Sequence, residues 1–302
     1  MTKKYFSIDI GGTNIKYGII DDQGELVFHE NVKTPDNKTD FLNLIKSIVQ
    51  ENLSEIQGVG ISVPGKVNVQ TGTVFYGGAL PFLDKVSFKD ELEGAFHIPV
   101  AVENDAKSGA SAELWLGSLK DVNNGAIITL GTGVGGGIVL NHQLLHGSHY
   151  QAGELSYMSL GTDTSKMSNL VGLSGSAVHM IEECAKVLNL ADKHDGVAVF
   201  DAINNGDQRA IEIFSKYCNV IATVILNIQS VVDLETIAIS GGISAQPVVV
   251  EEINKAYSRL LDPNPLLKAQ IEIPNIVQAH FKSDANLYGA VYNLLLQTDS
   301  IK

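Results

Sequence analysis

Apolar and polar positions alternate along YFSIDI (5–10), KYGIIDD (16–22) and LVFHENV (26–32), with short turns between them. A period of two joined by tight turns predicts a three-stranded antiparallel meander. The period then changes: in DFLNLIKSIVQENL (40–53), Phe41, Leu42, Ile45, Ile48, Val49 and Leu53 share one helical face. GVGISVPG (58–65) reads as a buried strand stopped by Pro64-Gly65. IPVAVEN (98–104) reads as another strand, and DAKSGASAELWLG (105–117) as a helix of small residues. After a polar stretch at 117–124 the pattern restarts with a GAIITL strand (125–130), a glycine loop and a GIVL strand (137–140). Helical periods at 174–189 and 198–229, an ETIAIS strand (235–240), Gly241-Gly242 and a further helix follow. The second half thus echoes the first, which predicts a duplicated α/β chain with two lobes, a hinge near 118–124 and a cleft between them. The expected lobes are 1–118, joined by a C-terminal amphipathic helix within 284–302, and 119–283.

Composition narrows the class. The chain has 302 residues, 44% apolar and 18% charged, so an ample core is available and wholesale disorder is excluded. Its net charge of −13 argues against a nucleic-acid surface. Cys184 and Cys218 lie in apolar-periodic segments without a CxxC partner, as expected of buried free thiols in a reducing compartment. The N-terminal apolar run is too short for a signal peptide, and no stretch reads as the roughly 18 apolar residues of a membrane span. A soluble, cytoplasmic protein is expected.

The glycines carry the chemistry. LGTGVGGGIVL (130–140) contains Gly131, Gly133 and Gly136 in the G-x-G-x-x-G spacing of dinucleotide sites. Those sites join a strand to a helix, whereas here both flanks read as strands, and so do those of Asp9-Ile10-Gly11-Gly12-Thr13-Asn14. Two hairpin turns are expected instead. Their backbone N–H groups, helped by the Thr13 and Thr132 hydroxyls, can cradle phosphate as a nest. A plain hairpin needs one glycine, and Gly135-Gly136-Gly137 exceeds that need. Asp105, where a strand gives way to a helix, suits either a general base or a helix N-cap. Lys16, alternating off the second strand, faces either phosphate or solvent. His142, His146 and His149 form a loose cluster for which no ligand role is expected.

DIGGTNIKYGIID resembles the first phosphate loop of the actin-like ATPase superfamily, LGTGVGGGIVL its second, and ISGG (239–242) its adenosine-side glycine pair. More narrowly, GISVPGKVN, ENDAKSGASAE and HGSHYQAGELSYM resemble the ROK family of sugar kinases and sugar-responsive repressors. The resemblance runs through nearly the whole chain in order. It implies an ATP-dependent sugar kinase with an actin-like fold and Mg²⁺. Asp105 would be the base, and Asp9 would orient the metal through water or phosphate. Asp9, Ile10, Gly11, Gly12, Thr13, Asn14, Gly131, Thr132, Gly133, Gly241 and Gly242 would bind nucleotide. Pro64, Gly65, Asn104, Asp105 and Glu154 would bind sugar. It also implies a homodimer, while the charge and hydropathy above lead to the expectation of no nucleic-acid or membrane partner. This chemistry suits phosphoryl transfer, which needs a positioned base, a metal and donors around the transferred group. Lobe closure over the sugar would keep water from competing as acceptor.

The chain departs from the family in three places. Many members carry a Cys-rich zinc stretch after GEIGH, ending in GCxE; here Tyr157 replaces that His, no Cys precedes 184, and Leu170 stands near the lost Glu. Four N or S ligands cannot be assembled there, so no zinc is expected. Ala79, in GGALPFL, replaces an Asn that contacts the sugar in many members. A pocket trading hydrogen-bonding groups for small ones favours a substituted sugar, as in the family's zinc-free β-glucoside kinases, which phosphorylate the 6-hydroxyl of cellobiose and aryl β-glucosides. Glucokinase, fructokinase and N-acetylmannosamine kinase are the alternatives. A repressor would carry a helix-turn-helix before the first loop, where only eight residues precede Asp9. A silent sugar-binding protein would be expected to lose the base or a loop.

Overall fold

The computed structural model describes residues 2–298; Met1 and 299–302, at the outer ends of the expected first lobe, lie outside them. The chain divides into two compact units. The first comprises residues 2–120, 146–152 and 283–298, and the second 121–145 and 153–282.

In the first unit β1 (Lys4–Ile10), β2 (Asn14–Asp21) and β3 (Leu26–Lys33) form the meander, followed by α1 (Lys38–Asn52) and β4 (Val59–Val63). A small hairpin, β5 (Lys66–Asn68) and β6 (Thr73–Phe75), precedes α2 (Phe88–Phe96), β7 (Val100–Asn104) and α3 (Asp105–Leu116). Neither that hairpin nor α2 was expected from the sequence, because their apolar runs are too short to show a period. The sheet order is β3-β2-β1-β4-β7. β1, β2 and β3 pair antiparallel, while β4 joins β1 and β7 joins β4 in parallel. Strands β4 and β7 are buried along their whole length, as strands covered on both faces must be.

In the second unit β8 (Gly125–Leu130), β9 (Val134–Leu140) and β10 (Gln143–Leu144) precede the single turn α4 (Val171–Ser174) and α5 (Ala177–Leu188). Then come α6 (Gly196–Asn204), α7 (Gln208–Val232), β11 (Thr236–Gly241), α8 (Pro247–Leu261), α9 (Pro265–Gln270) and β12 (Asn275–Gln278). The order β10-β9-β8-β11-β12 repeats the first sheet strand for strand, again with two antiparallel and two parallel pairings. The duplication is therefore one of topology. The helical period expected over 198–229 is interrupted: Gly206 takes φ +86°, and Asp207 accepts from Arg209 N at 3.0 Å to cap a new helix.

Helix α7 is long and apolar enough to cross a membrane by length and composition, contrary to the expectation that no such stretch exists. Phe214, Cys218, Ile221, Ile225 and Ile228 along it are buried in the second unit's core, which explains the apolar run without a bilayer. Both cysteines are buried and free, and burial pushes the Cys184 thiol up to about 11.

Helix α10 (Ala285–Gln297) belongs to the first unit, burying Leu287, Val291, Leu294 and Leu295 beside Tyr5, Ile20 and Ala101. Two glycines let it approach. A side chain at Gly60 would strike the Ala290 carbonyl, and one at Gly289 the Ser108 carbonyl of α3. The segment 146–152, which the sequence pattern placed in the second half, packs with the first unit.

Candidate active site

The first unit gathers its polar groups at the C-terminal ends of β1, β4 and β7, where ligands bind in open α/β sheets. Strand β7 ends on Asn104, whose side chain accepts from Lys107 N at 3.2 Å and caps α3. Asp105 is thus the first helical residue and not the cap. Its half-buried carboxylate sits in the first turn of the helix. Asp105 Oδ1 accepts from Ala106 N at 2.8 Å and from Asn104 Nδ2 at 2.9 Å. The same Nδ2 donates to Gly65 O at 2.9 Å. Asn104, expected to meet the sugar, therefore uses both amide hydrogens inside the protein, which casts it as the residue that orients Asp105. Gly65 follows Pro64 with φ +97°, and a side chain there would come within 2.9 Å of Gly77 N.

Asp9 lies beside Ser62 of β4 and Lys16 of β2. Asn286 Nδ2, from α10, donates to Asp9 Oδ1 at 3.0 Å. Burial pushes the Asp9 carboxyl above its ordinary value, opposed by the hydrogen bond from Asn286, by the nearby Ser62 hydroxyl and by the Lys16 charge. Such a carboxylate gains from a cation or its bound waters. Lys16 itself donates to Ser283 O at 2.6 Å and lies 3.8 Å from Asp284, so it is committed to the start of α10. Ile10 is 1% exposed, leaving only its backbone for a ligand.

Both glycine loops are three-residue hairpin connections between antiparallel strands. In the first, Gly11 N donates to Asn14 O at 3.0 Å; in the second, Gly131 N donates to Gly133 O at 3.0 Å. The dinucleotide reading needs a helix after the loop, and β9 stands there instead. Gly12, Thr13 and Asn14 are exposed, as is Thr132.

The glycines divide by cause. A side chain at Gly133 would come within 2.7 Å of Ser156 Oγ, and one at Gly136 within 2.7 Å of Leu155 Cδ1 and 2.9 Å of Gly153 O. These two make room for the Gly153–Ser156 turn, which carries Glu154, against β9. This corrects the reading that phosphate alone explains the cluster. Gly241, at φ +98°, is crowded by the Leu130 backbone just before the second loop. Gly131 and Gly242 are different: a side chain there would meet nothing within 4 Å, and neither has a left-handed φ. Gly94, on an exposed helix face, shares that freedom. Neither packing nor backbone requires glycine at 131 or 242, whereas a phosphate or nucleoside approaching the backbone does. Each loop, taken by itself, leaves room for a phosphate or nucleoside, and the Asp9 environment suits a cation.

Sequence reasoning missed Asn286, Ser62 and the Glu103–His146 pair, whose oxygen and nitrogen lie 2.7 Å apart. His146 thus has a structural partner, which its sequence surroundings do not mark. Tyr157 is 72% exposed. Among the described residues no three His, Cys, Asp or Glu side chains group to hold a metal ion.

Two copies of one mixed sheet, each opening on a glycine-bearing hairpin, define an α/β protein of the actin-like ATPase class. The chain belongs to the ROK family, whose sequence model matches residues 5–297. It is 30% identical over 304 residues to the β-glucoside kinase of Listeria monocytogenes, with 97% of each chain covered. It is 28% identical to a glucokinase of Halalkalibacterium halodurans, covering 99% of this chain and 97% of the other. Among solved structures, a ROK family protein from Streptococcus pneumoniae in complex with sucrose matches with a TM-score of 0.89 at 29% identity over the full length of both chains.

Proposed function

We propose that this chain is an ATP-dependent carbohydrate kinase that phosphorylates the 6-hydroxyl of a β-glucoside such as cellobiose. The observation that carries the reading is the fixed geometry of Asp105 at the start of α3, oriented by Asn104 and through it by Gly65. Asp105 takes the proton from the attacking hydroxyl as the oxygen reaches phosphorus. Of the two loops, Gly12, Thr13 and Asn14 in the first and Thr132 in the second are exposed, as is Gly242, and their backbone is proposed to serve the nucleotide. ATP supplies the phosphoryl group, and Asp9 holds the waters or phosphate oxygens around its Mg²⁺. Glu154, on the turn packed against β9, is proposed to bind sugar hydroxyls. The protein is proposed to work as a homodimer without zinc.

The β-glucoside preference rests on Ala79 and Leu170, which stand where many members carry polar groups, and on the kinship with β-glucoside kinases. The test is a panel of glucose, fructose, N-acetylmannosamine, N-acetylglucosamine, cellobiose and an aryl β-glucoside with ATP and Mg²⁺, each product analysed for the phosphorylated hydroxyl. Highest kcat/KM on the β-glucosides, with phosphate on the 6-oxygen, is expected. Turnover of a free monosaccharide far above cellobiose overturns the substrate.

A further inference from the structure

Beyond β6 the chain makes three consecutive left-handed residues: Tyr76 at φ +65°, Gly77 at +49° and Gly78 at +55°. Glycines adopt this conformation freely, but for a bulky aromatic it is an outlier that costs free energy. The strain is held in place. Tyr76 N donates to Asp84 Oδ1 at 2.9 Å, and Leu80 N donates to Gly77 O at 2.9 Å. Asparagine or glycine would hold the same turn without strain. The tyrosine side chain itself gains little from burial, because it is 77% exposed. Something other than folding retains the ring.

Its surroundings say where that ring stands. Gly77, the next residue, backs onto Gly65, and Gly78 onto Pro64, so closely that side chains would collide at 2.9 Å and 3.1 Å. Gly65 O is the acceptor of the amide that orients Asp105. Ala79, three residues after Tyr76, lies 3.0 Å from where a side chain on Gly12 would begin. Tyr76 is therefore at the rim of the wall that carries the proposed base and the first phosphate loop. The Lys66 ammonium is 6.0 Å from its ring centroid and 4.9 Å from that of Phe75, which steadies the ring from one side.

The geometry points to Tyr76 as a specificity-determining residue: an aromatic platform for the aglycone of the substrate. This rests on the β-glucoside reading above. In a β-glucoside the C1–O1 and C5–C6 bonds are both equatorial and diverge on either side of the ring oxygen, so with the 6-hydroxyl at Asp105 the aglycone leads away from the base and toward the rim. A second pyranose or an aryl group there offers an apolar face, and an open aromatic ring is the side chain that binds such a face at low entropic cost. Glucose, which has no aglycone, does not reach it.

The test compares the wild type with Tyr76→Asn and Tyr76→Phe on glucose, cellobiose and an aryl β-glucoside. Asparagine tolerates the left-handed backbone, so Tyr76→Asn is expected to melt no lower than wild type. Its KM for cellobiose and the aryl glucoside should rise about three- to tenfold, with glucose kinetics unchanged, while Tyr76→Phe retains the wild-type values on the aryl substrate. Unchanged β-glucoside kinetics in Tyr76→Asn, or an equal loss on glucose, overturns the platform alone. A wild-type enzyme inactive on every β-glucoside overturns the substrate reading, and the platform with it.

Discussion

His146 Nε2 lies 2.7 Å from Glu103 Oε2, and the other oxygen of the same carboxylate accepts from Asn104 N at 2.9 Å. Glu103 is 1% exposed and sits at the end of β7, one residue before the cap of α3. One buried carboxylate thus ties the 146–152 segment to the strand end that presents Asp105. A buried charge with its partner removed is costly, so His146→Ala is expected to lower the melting temperature. By loosening the base it should also reduce kcat/KM about tenfold. His146→Gln, which retains a donor, should recover much of both. Unchanged melting and kinetics in His146→Ala would show that the pair positions nothing.

Asp105→Asn keeps the shape of the side chain and an oxygen to accept from Ala106 N, but removes the proton acceptor. Turnover is expected to fall by about 10²- to 10⁴-fold, with sugar affinity by calorimetry and melting temperature close to wild type. Parallel loss of binding and turnover would mean that Asp105 serves the pocket's structure and not the proton transfer.

The sequence made some of this site legible and hid the rest for definite reasons. That Gly11–Thr13 and Gly131–Gly133 are hairpins followed from β-branched residues on both flanks, and the sheets agree. The helix around Ala285–Gln297 was visible from its period. What it brings to the site was not, because Asn286 meets Asp9 across 277 residues and nothing local marks that contact. The family resemblance marked Asn104 as a sugar ligand, and nothing in the local sequence shows that its two amide hydrogens go to Gly65 O and Asp105 Oδ1. His146 was passed over because its partner lies 43 residues away on another element. Periodicity reports which face is buried, and it is silent on which polar groups meet across the sheet.

The division of the glycines predicts opposite outcomes for two neighbours. Gly131→Ala meets open space at an ordinary φ, so it should leave stability unchanged or raise it by about 0.4–1 kcal/mol through the unfolded chain. Its methyl would intrude on the nucleotide, raising KM for ATP. Gly133→Ala must displace Ser156, whose hydroxyl bonds Val134 N at 3.0 Å and Val134 O at 3.1 Å. Overpacking of that kind costs about 1–3 kcal/mol. Calorimetry and ATP titration on the two variants separate the roles; equal melting losses would refute the division.

Asp9 predicts a conflict between stability and activity. Its carboxyl has a pKa held above the ordinary 3.8 in the folded chain, chiefly by burial. Between 3.8 and the raised value the folded state binds more protons than the unfolded one, so this group's contribution to stability falls as pH rises, and the penalty is complete above that window. Asp9→Asn removes the penalty and is expected to melt above wild type at pH 7, with the gap closing as pH falls toward 4. Turnover should collapse, since the metal-orienting charge is gone. A variant less stable than wild type at pH 7 would contradict the sign.

The segment 158–171, for which no zinc is expected, closes on its own hydrogen bonds. Leu160 N donates to Asn169 O at 2.8 Å, Asn169 Nδ2 to Asp163 O at 2.8 Å, and Val171 N to Met158 O at 2.9 Å; Ser159 and Leu170 form a β-bridge. Asn169 is thus a residue that holds the two sides of the loop together. Because α4 follows directly at Val171 and Gly172 packs on Ser156, loosening this loop should be felt at the Glu154 turn. Asn169→Ala is expected to raise KM for the sugar more than it lowers kcat. A zinc chelator should leave the wild-type melting curve unmoved, and metal analysis of the purified protein should find no stoichiometric zinc. One equivalent of zinc, with melting lowered by its removal, would show that the loop relies on a metal after all.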